Sequence, residues 1–268
     1  MDIQQLKSFK ILVIGDACTD VYHYGNCDRI SHEAPVPILK CTDAEEKPGM
    51  SLNVVKNLKG LRNEVDKLVN KSKIYKKRYI DIRTKQHLLR VDIGEHDTID
   101  CIKEEQINNI DFSNYDALVI SDYNKGFLPS RKIQILLEKA FSHDSSYPVF
   151  VDSKKQDLAI FENCFLKINE YEHSKAEKLP KSSQIIITLG KDGALWLNTD
   201  KKYSAKETNV FDICGAGDTF LASLATAYLS FNDLEKSIKF ANLCASITVN
   251  HFGVYAVTIE DIKKRIYK

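Results

Sequence analysis

The residues Gly215–Asp218 combine three small side chains with a carboxylate just before an amphipathic helical pattern. Because Gly215, Ala216 and Gly217 carry little or no side chain, their backbone N–H groups can approach an anion closely. A helix N-terminus adds partial positive charge, which suits such a loop to phosphate oxygens. A carboxylate at Asp218 could then take a proton from a hydroxyl that attacks a phosphoryl group. A tight turn followed by an ordinary charge at a helix N-terminus would have the same sequence.

The composition of the 268 residues is that of an ordinary globular protein, with 43% hydrophobic and 28% charged residues. The formal net charge is +1, so the charge balance favours neither nucleic acid nor a membrane as a partner. The sequence has no apolar stretch long enough to span a bilayer, and its first residues lack a signal-peptide core. Seven scattered cysteines without a Cys-x-x-Cys pair favour reduced thiols and a cytoplasmic location over a zinc site or disulfides.

Short apolar runs alternate with helical patterns, which predicts an α/β fold with a mostly parallel central sheet and helices on both sides. The runs are rich in β-branched residues and are flanked by Gly, Asp, Asn and Ser, as is typical of strands buried on both faces. The predicted strands are Ile11–Ile14, Val36–Leu39, Ala117–Ile120, Val149–Val151 and Ile185–Leu189. The predicted helices are Ser51–Leu61, Pro129–Phe141, Ala216–Leu229 and Leu234–Asn250.

Two further strand-like segments, Val36–Cys41 and His87–Asp92, have no crossover helix beside them. We predict that they pair as a small accessory sheet over a site at the carboxyl ends of the main strands, where loops and helix N-termini converge. Their apolar residues need a second surface, which predicts a homodimer paired through these strands. The lysine-rich segment Asn63–Lys77 is predicted to be a solvated connection, with a phosphate-attracting rim as the alternative.

Several motifs follow the predicted strands in a fixed order. They are Gly15–Asp20, Tyr24-Gly25, Arg29–Pro37, Pro48–Val54, Leu88–Asp92, Ser121–Gly126 and Asp212–Phe220. The last resembles the C-terminal signature of the PfkB (ribokinase-like) family of carbohydrate kinases. The others are most similar to one branch of that family, the D-glycero-D-manno-heptose-7-phosphate 1-kinases. The match runs from about Lys10 to the C-terminal helix.

The resemblance implies a single kinase domain over residues 1–268, with a ribokinase-like three-layer α/β fold and a small β lid near 36–41 and 87–92. It implies ATP-dependent phosphorylation of a sugar phosphate, with heptose 7-phosphate as acceptor at its anomeric hydroxyl, for lipopolysaccharide or other surface-polysaccharide precursors. It covers a kinase domain alone, without the nucleotidyltransferase domain fused in some relatives. Alternatives are another PfkB sugar or nucleoside kinase, or a binding homologue without turnover. A dinucleotide-binding oxidoreductase is disfavoured because no Gly-x-Gly-x-x-Gly follows the first strand.

The resemblance also assigns roles, with Asp218 as the catalytic base and Gly215, Ala216 and Gly217 as the loop for the terminal phosphate. The implied substrate-binding residues are Asp16, Asp20, Gly49, Asn53, Arg90 and Lys125. The implied nucleotide-binding residues are Asn169, Glu172, Thr188, Gly190 and Gly193. Glu172 would hold Mg²⁺ through water, since Mg²⁺ takes few protein ligands, and Asp212 is similar to a carboxylate that binds a monovalent cation such as K⁺ in some members. Ordinary roles as helix caps, turn residues or surface charges are the alternatives.

Three departures from the family pattern affect the site. Met50 stands where the family has a second glycine, and its side chain could narrow the sugar pocket or disfavour a positive φ angle. Cys214 replaces the usual Thr before Gly-Ala-Gly, which removes a hydroxyl. Only a short connection, residues 62–77, joins the first helix to the next lid strand, so we expect a smaller sheet with an edge that needs covering.

Overall fold

The computed structural model describes residues 3–95, 99–206, 208 and 210–267. These residues contain twelve strands and seven α-helices. The strands are β1 (Lys10–Gly15), β2 (Ala17–Ile30), β3 (Pro37–Met50), β4 (Glu64–Val69), β5 (Tyr75–Asp81), β6 (Gln86–Ile93), β7 (Ala117–Asp122), β8 (Val149–Ser153), β9 (Phe165–Asn169), β10 (Gln184–Thr188), β11 (Ala194–Trp196) and β12 (Lys201–Tyr203). The helices are α1 (Ser51–Gly60), α2 (Glu104–Asn108), α3 (Ser130–His143), α4 (Glu170–Lys175), α5 (Ala216–Phe231), α6 (Leu234–Thr248) and α7 (Ile259–Ile266).

The central sheet has eight strands in the order β12-β11-β10-β9-β8-β7-β1-β4. The six strands from β10 to β4 are parallel, whereas β11 and β12 extend the sheet as antiparallel strands. Every residue of β7 and β8 is buried, because helices cover both faces of a parallel sheet. This architecture confirms the predicted three-layer α/β fold.

Two apolar clusters fill the spaces on either side of the sheet. One packs α3 residues such as Leu136 against Leu118 and Val151 on the sheet. The other packs Val54 of α1, Leu224 of α5 and Ile238 of α6 on the opposite face. Helix α5 is apolar around most of its circumference, with ten successive buried residues from Asp218 to Ala227, because it lies between the sheet and α6. Its N-terminus is therefore fixed by the core.

The accessory sheet, called the lid below, has four strands in the order β3-β2-β5-β6. The two segments predicted to pair with each other belong to its opposite edges, β3 and β6, and are separated by β2 and β5. The sequence prediction therefore identified the two edge strands of the lid and missed its two central strands, β2 and β5. β2 and β3 form a 14-residue antiparallel ribbon with two register shifts, and β2 pairs in parallel with β5.

The segment Asn63–Lys77 is more ordered than the predicted solvated connection. It contains β4, which pairs in parallel with β1 at the edge of the central sheet, and the start of β5 in the lid. Asn70 links the two, because its side chain accepts from the backbone N–H of Ala17 at 2.6 Å and donates to the Ala17 and Ser72 carbonyl oxygens. The chain thus passes from the main sheet into the lid without a crossover helix.

The expected new edge of the sheet is β4, and charged side chains protect it. Glu64, Asp66 and Lys67 are exposed on this strand, and such charges discourage pairing with another strand. No helix among the described residues has the length and apolarity needed to cross a membrane. All seven cysteines are free thiols.

Candidate active site

Asp218 lies in the first turn of α5 with its carboxylate almost fully buried. Oδ1 accepts a hydrogen bond from the Tyr123 hydroxyl at 2.7 Å, and Oδ2 accepts one from Asn53 Nδ2 at 2.9 Å. Tyr123 directly follows β7 and Asn53 lies on α1, so three separate elements converge on this carboxylate. Its position is therefore determined by the core rather than by a mobile loop.

Burial raises the pKa of Asp218 from 3.8 to about 6, although the hydrogen bonds from Tyr123 and Asn53 oppose the shift. A carboxylate that loses its proton just below neutral pH is ionised under ordinary conditions, yet is more basic than an exposed aspartate. That combination suits a general base for a hydroxyl nucleophile.

The loop before α5 has the backbone that an anion site requires. Gly215 precedes the helix at φ 78°, a conformation that glycine adopts readily. A Cβ added there would lie 2.6 Å from Asn53 Nδ2, so a side chain would also displace the amide that holds Asp218. The N–H groups of Gly217 and Asp218 lie in the first turn, where a helix supplies no acceptors. Ala216 N–H is directed back to Ile213 O.

The structure places the remaining sugar-side residues at the carboxyl end of β1 and on the adjoining lid. The buried Asp16 carboxylate accepts from the backbone N–H groups of Lys125 and Phe127 at 3.2 Å each, so it holds the loop after β7. Burial and the nearby Asp122 raise the pKa of Asp16. Asp20, on β2, forms a buried ion pair with Arg78 of β5. Both aspartates are thus already engaged by protein groups.

Gly49 and Met50 lie where β3 meets α1. A Cβ on Gly49 would lie 2.1 Å from Asp20 Oδ2 and 2.6 Å from Cys18 Sγ, so this glycine leaves room for the Asp20 carboxylate. Met50 adopts φ 54° and ψ −131°, a conformation that strains residues other than glycine. Its side chain is buried in the main core rather than exposed to solvent. The departure from the family pattern therefore costs backbone strain and contributes apolar packing.

The cations predicted for a phosphate differ in their surroundings. Lys125 Nζ contacts Glu95 Oε2 at 2.5 Å, and Lys76 of β5 contacts the other oxygen of the same carboxylate. Although burial opposes it, these hydrogen bonds lower the pKa of Glu95. Arg90 pairs with Asp92 at 2.9 Å and is 57% exposed. The structure thus joins Lys125 to Lys76 and leaves Arg90 at the rim of the lid.

On the nucleotide side, Asn169 and Glu172 form a capping box at the start of α4. Glu172 Oε2 accepts from Asn169 N–H, and Oε1 accepts from Asn169 Nδ2, each at 2.8 Å. Lys154 Nζ adds a third contact to Oε1 at 2.5 Å. Since a carboxylate has about four acceptor positions, one remains for a water. Glu172 therefore fits water-mediated contact with Mg²⁺ better than direct ligation, and the described residues contain no cluster of three or more acidic, His or Cys side chains suited to a metal.

Thr188 lies beside Asn169, because β10 and β9 pair in parallel at these two residues. Gly190 and Gly193 then form the turn between β10 and β11, with φ angles of 57° and 96°. A Cβ on Gly193 would lie 2.0 Å from Tyr203 O, whereas Gly190 has open space. The segment is a hairpin turn, and it lies with the capping box at the carboxyl ends of β9 and β10.

A cavity of about 590 Å³ opens next to that turn, between β12 and α6. Its lining includes Tyr203, Ser204, Lys206 and Asn242. Asn242 Nδ2 donates to Tyr203 O at 2.8 Å, which ties α6 to the end of β12. The cavity is related to the nucleotide-side residues through Tyr203, whose carbonyl oxygen lies against Gly193.

Asp212 organises the loop before Gly215 and meets the lid. Its carboxylate accepts from the backbone N–H groups of Cys214 and Gly253 at 2.9 Å each. Although burial opposes it, these bonds lower the pKa of Asp212. The lid residue His87 lies with its Nε2 atom 3.9 Å from Asp212 Oδ2. In the same loop, burial raises the pKa of the Cys214 thiol to about 12.

Residues 100–261 match the model of the pfkB family carbohydrate kinases, which is more than half of the chain. The chain belongs to the PfkB family. Its similarity to curated relatives extends over nearly all of its length. It is 32% identical to the bifunctional protein HldE of Sulfurimonas denitrificans, over 97% of this chain and 65% of that protein. It is 30% identical to HldE of a Nitratiruptor species, over 95% of this chain and 64% of that protein. The chain therefore spans just under two thirds of these relatives.

Solved structures of the family share the fold. Escherichia coli phosphofructokinase-2 in complex with potassium superposes with a TM-score of 0.73 at 16% identity, covering 97% of this chain and 99% of that one. Arabidopsis thaliana ribokinase complexed with ribose and ATP gives a TM-score of 0.70 at 15% identity, covering 98% and 100%. The chain described here thus belongs to a family of carbohydrate kinases and has a ribokinase-like fold, as the sequence motifs predicted.

Sequence reasoning missed several residues of this site. Tyr123 lies inside the quoted motif Ser121–Gly126, so the signal was present, but its contact with Asp218 was not apparent. Arg78 and Lys76 lie in or next to the lysine-rich segment, for which a phosphate-attracting rim was the alternative prediction. The contact of Lys154 with Glu172 gave no signal, because Lys154 follows β8 whereas Glu172 lies on α4.

We expect Asp218→Asn to lower kcat by about 10²–10⁴-fold, because the acceptor hydroxyl loses its base. ATP binding should remain, because the anion loop is unchanged. Folding raises the pKa of Asp218 from 3.8 to about 6, so this group stabilises the fold below pH 3.8 and loses that effect as the pH rises to about 6. The variant should therefore be as stable as the parent at pH 7, or more so. Turnover within a few-fold of the parent would contradict the base assignment.

We expect Tyr123→Phe to move the acid limb of the kcat–pH profile to higher pH. The Tyr123 hydroxyl donates to ionised Asp218, so its loss raises the pKa of that carboxyl. The matched control is Tyr115→Phe, which removes the bond to Asp66 at the sheet edge and should leave the limb in place. An unchanged limb in Tyr123→Phe would show that Asp218 ionisation does not limit turnover.

Proposed function

We propose that this PfkB kinase transfers the terminal phosphoryl group of ATP to a phosphorylated sugar, with the anomeric hydroxyl of heptose 7-phosphate as the acceptor. The observation that carries the proposal is that the site contains both a buried carboxylate, Asp218, and two lysines on its sugar side, Lys76 and Lys125, which share the Glu95 carboxylate. The motifs that resemble heptose-7-phosphate kinases and the HldE relatives support this acceptor. The product would be a precursor of lipopolysaccharide or another surface polysaccharide.

Phosphoryl transfer would proceed in line above the loop Gly215–Gly217. The acceptor hydroxyl gives its proton to Asp218 as its oxygen bonds to the terminal phosphorus. The bond from phosphorus to the ADP oxygen breaks, and ADP leaves with the electron pair. Backbone N–H groups at the start of α5 stabilise the negative charge on the transferred group. Mg²⁺ bound with the nucleotide, through water at Glu172, would neutralise phosphate charge.

The sugar would bind between β1 and the lid. Asp16, Asp20, Gly49 and Asn53 would line this space. Asp20 is held on one side by Arg78, and Asn53 is held by Asp218. Their remaining oxygen and N–H positions are available to sugar hydroxyls. Asn53 has a second role as an orienting residue for the base.

The acceptor's phosphate would bind between Lys76 and Lys125. In the described structure these two ammonium groups share the Glu95 carboxylate, which lies where an anion is favoured. A phosphate carries more charge and more acceptor oxygens than a carboxylate, so it would displace Glu95. Arg90 lies on the same lid face as Arg78, directly across the β5–β6 pair, and would complete the site at the rim.

The nucleotide would extend from the loop past Asn169 and Thr188, over Gly190 and Gly193, into the cavity beside β12. A cavity of about 590 Å³ is of the size that small-molecule ligands occupy. Lys206 and Asn242 offer polar contacts there. Asp212 is our candidate for a K⁺ site, and the potassium complex of phosphofructokinase-2 supports it.

Lid closure would exclude water, which would otherwise compete as acceptor. The lid already contacts the core loops through Tyr22, whose hydroxyl accepts from Val254 N–H at 3.1 Å. Phe252 packs within 5.4 Å of the His87 ring. These contacts hold the inner lid face against the loop after α6, and His87 also lies 3.9 Å from Asp212 in the loop that precedes α5.

A hexose phosphate is the second candidate acceptor. The solved structure of phosphofructokinase-2 in complex with fructose-6-phosphate has the same fold at a TM-score of 0.71. A phosphorylation screen that includes heptose 7-phosphate, fructose 6-phosphate, ribose and nucleosides would distinguish these acceptors by kcat/KM. If none of these acceptors supports ATP consumption, the result would favour a binding homologue without turnover.

We also propose a homodimer formed through the outer lid faces. The exposed apolar side chains of the lid include Leu89 and Ile93 of β6, which share one face of the strand. Tyr79 lies opposite Leu89 and stacks on the His23 ring at 4.7 Å. A four-stranded sheet with an apolar outer face is best covered by a second copy of itself.

We expect Lys76→Met to raise the KM for a phosphorylated sugar by about 10-fold or more, because a hydrogen bond to a charged group is worth roughly 1.5–3 kcal/mol. The KM for ATP should change little. Lys77→Met is the matched control, since Lys77 points to the other face of β5. Arg90→Ala should act in the same direction as Lys76→Met. Equal effects on both substrates would remove these residues from the phosphate site.

We expect Leu89→Glu to convert the dimer to a monomer of 30.5 kDa at micromolar concentration, measured by light scattering. A charge on the outer lid face would have to be buried without a partner. The control Tyr267→Glu changes an exposed aromatic residue outside the lid and should remain dimeric. A monomeric parent, or a dimer that is indifferent to Leu89→Glu, would contradict this interface.

A further inference from the structure

Two opposite charges are buried side by side beneath the loop before α5. Lys167 on β9 and Asp152 on β8 are only 2% and 3% exposed, and Lys167 Nζ lies 2.6 Å from Asp152 Oδ2. Lysine is rarely this buried, and a buried ion pair often contributes little to stability. A buried pair next to a reaction site therefore indicates a functional role.

Gly217 is the point at which this pair meets the active site. A Cβ added to Gly217 would lie 2.9 Å from Lys167 Nζ and 3.9 Å from Asp152 Oδ2. Gly217 is helical and its φ is not positive, so its backbone does not require glycine, and alanine would favour the helix by about 1 kcal/mol. The glycine instead leaves space for the ammonium group directly under the first turn of α5.

The second oxygen of Asp152 extends the ionic chain toward the nucleotide side. Asp152 Oδ1 contacts Lys154 Nζ at 2.7 Å, and Lys154 contacts Glu172 Oε1 at 2.5 Å. Although burial opposes it, Lys154 and Lys167 lower the pKa of Asp152. Charges of alternating sign thus run without interruption from the loop under Asp218 to the capping box.

We propose that Lys167 is a positioning residue for phosphoryl transfer, which acts through Gly217 and Asp218 rather than by touching the sugar. Its ammonium group, held by Asp152 and 2.9 Å from a Cβ position on Gly217, supplies fixed positive charge beneath the loop. The chain through Lys154 fixes this charge relative to the element that meets the nucleotide. The inference rests on the proposed role of Asp218 as the base.

Several groups face Asp218, and they act in opposite directions. Tyr123 after β7 and Asn53 on α1 donate hydrogen bonds to the carboxylate, and Lys167 also favours its ionised form. Asp152 opposes ionisation by like charge. Cys18 on β2 is near enough for Asp218 to raise the pKa of its thiol, although burial is the main cause. Removal of Lys167 alone would leave Asp152 paired only with Lys154, so the like-charge effect of Asp152 on Asp218 would be less compensated.

The test is the kcat–pH profile of Lys167→Met, which keeps the length of the side chain and removes the charge. We expect kcat to fall by about 10–100-fold, as is common when groups behind a reactive residue are changed. The KM for the sugar should stay close to the parental value, and the acid limb should move to higher pH. Lys167→Arg keeps the charge and should keep the limb near its parental position.

A double variant keeps the test usable if Lys167→Met does not fold. Asp152→Asn with Lys167→Met removes both buried charges, so no unpaired one remains. We expect its kcat to stay reduced by about 10–100-fold, while the acid limb returns toward the parental position. The control is Lys139→Met, which removes a half-buried ammonium that binds the Ile107 and Asn108 carbonyl oxygens, and it should match the parent.

Parental kcat and an unchanged acid limb in folded Lys167→Met, or parental kcat in the double variant, would overturn the inference. The proposed base would be untouched by that outcome if Asp218→Asn had lost turnover. Normal turnover in Asp218→Asn would instead remove the base assignment and this inference together. An increase in sugar KM with an unchanged kcat would show that Lys167 acts in binding and not in positioning.

Discussion

The hydrogen bond from Asn53 to Asp218 is the contact on which the active site depends. It belongs to a buried polar network in which Asn57 supports Asn53 and also accepts from the Thr219 hydroxyl at 3.0 Å. Thr219 in turn accepts from the Thr248 hydroxyl at 2.9 Å. The network joins α1, α5 and α6. Because buried polar groups are costly when unpaired, it fixes the relative positions of these helices and holds the base at one place.

Most of the charged side chains in the candidate site are already paired with an opposite charge from the protein itself. Asp20 is paired with Arg78, Glu95 with Lys76 and Lys125, and Glu172 with Lys154. Such pairs keep cations in place within a partly buried space, where unpaired charges would oppose folding. Under the proposed function, a substrate phosphate would replace a carboxylate rather than water, which would favour acceptors that carry more negative charge. Selectivity for phosphorylated sugars would follow from this exchange.

The lid depends on an unusual path of the chain. β4 closes the edge of the central sheet, and only a short loop held by Asn70 separates it from β5 in the lid. β5 therefore pairs in parallel with β2, and the long β2–β3 ribbon is braced along one side. This bracing places Lys76 and Arg78 on the inner face of the lid. The shortened connection, which was expected to leave a smaller sheet with an edge that needs covering, thus also positions two cations on the lid.

The sequence by itself determined the α/β fold, most of the central strands and helices, and the loop that contains the candidate base Asp218. These features are local, since buried strands, helical periodicity and the Gly-Ala-Gly-Asp segment each lie within a few residues. The edges of the lid were also local, because their apolar patterns are short and continuous. The strand β4 was missed because its charged residues, such as Asp66 and Lys67, resemble a solvated connection.

Only the tertiary structure decided which charges meet. Asp20 and Arg78, Glu95 and Lys125, and Lys167 and Gly217 are far apart in the chain, and no spacing rule relates them. Their contacts follow from the order of strands in two sheets, which brings distant side chains to the same edge. Gly217 is the clearest case. Its sequence context indicates a phosphate loop, whereas the space left by its missing side chain is occupied by the Lys167 ammonium group from β9. Only the packing of the sheet against α5 brings Gly217 and Lys167 together.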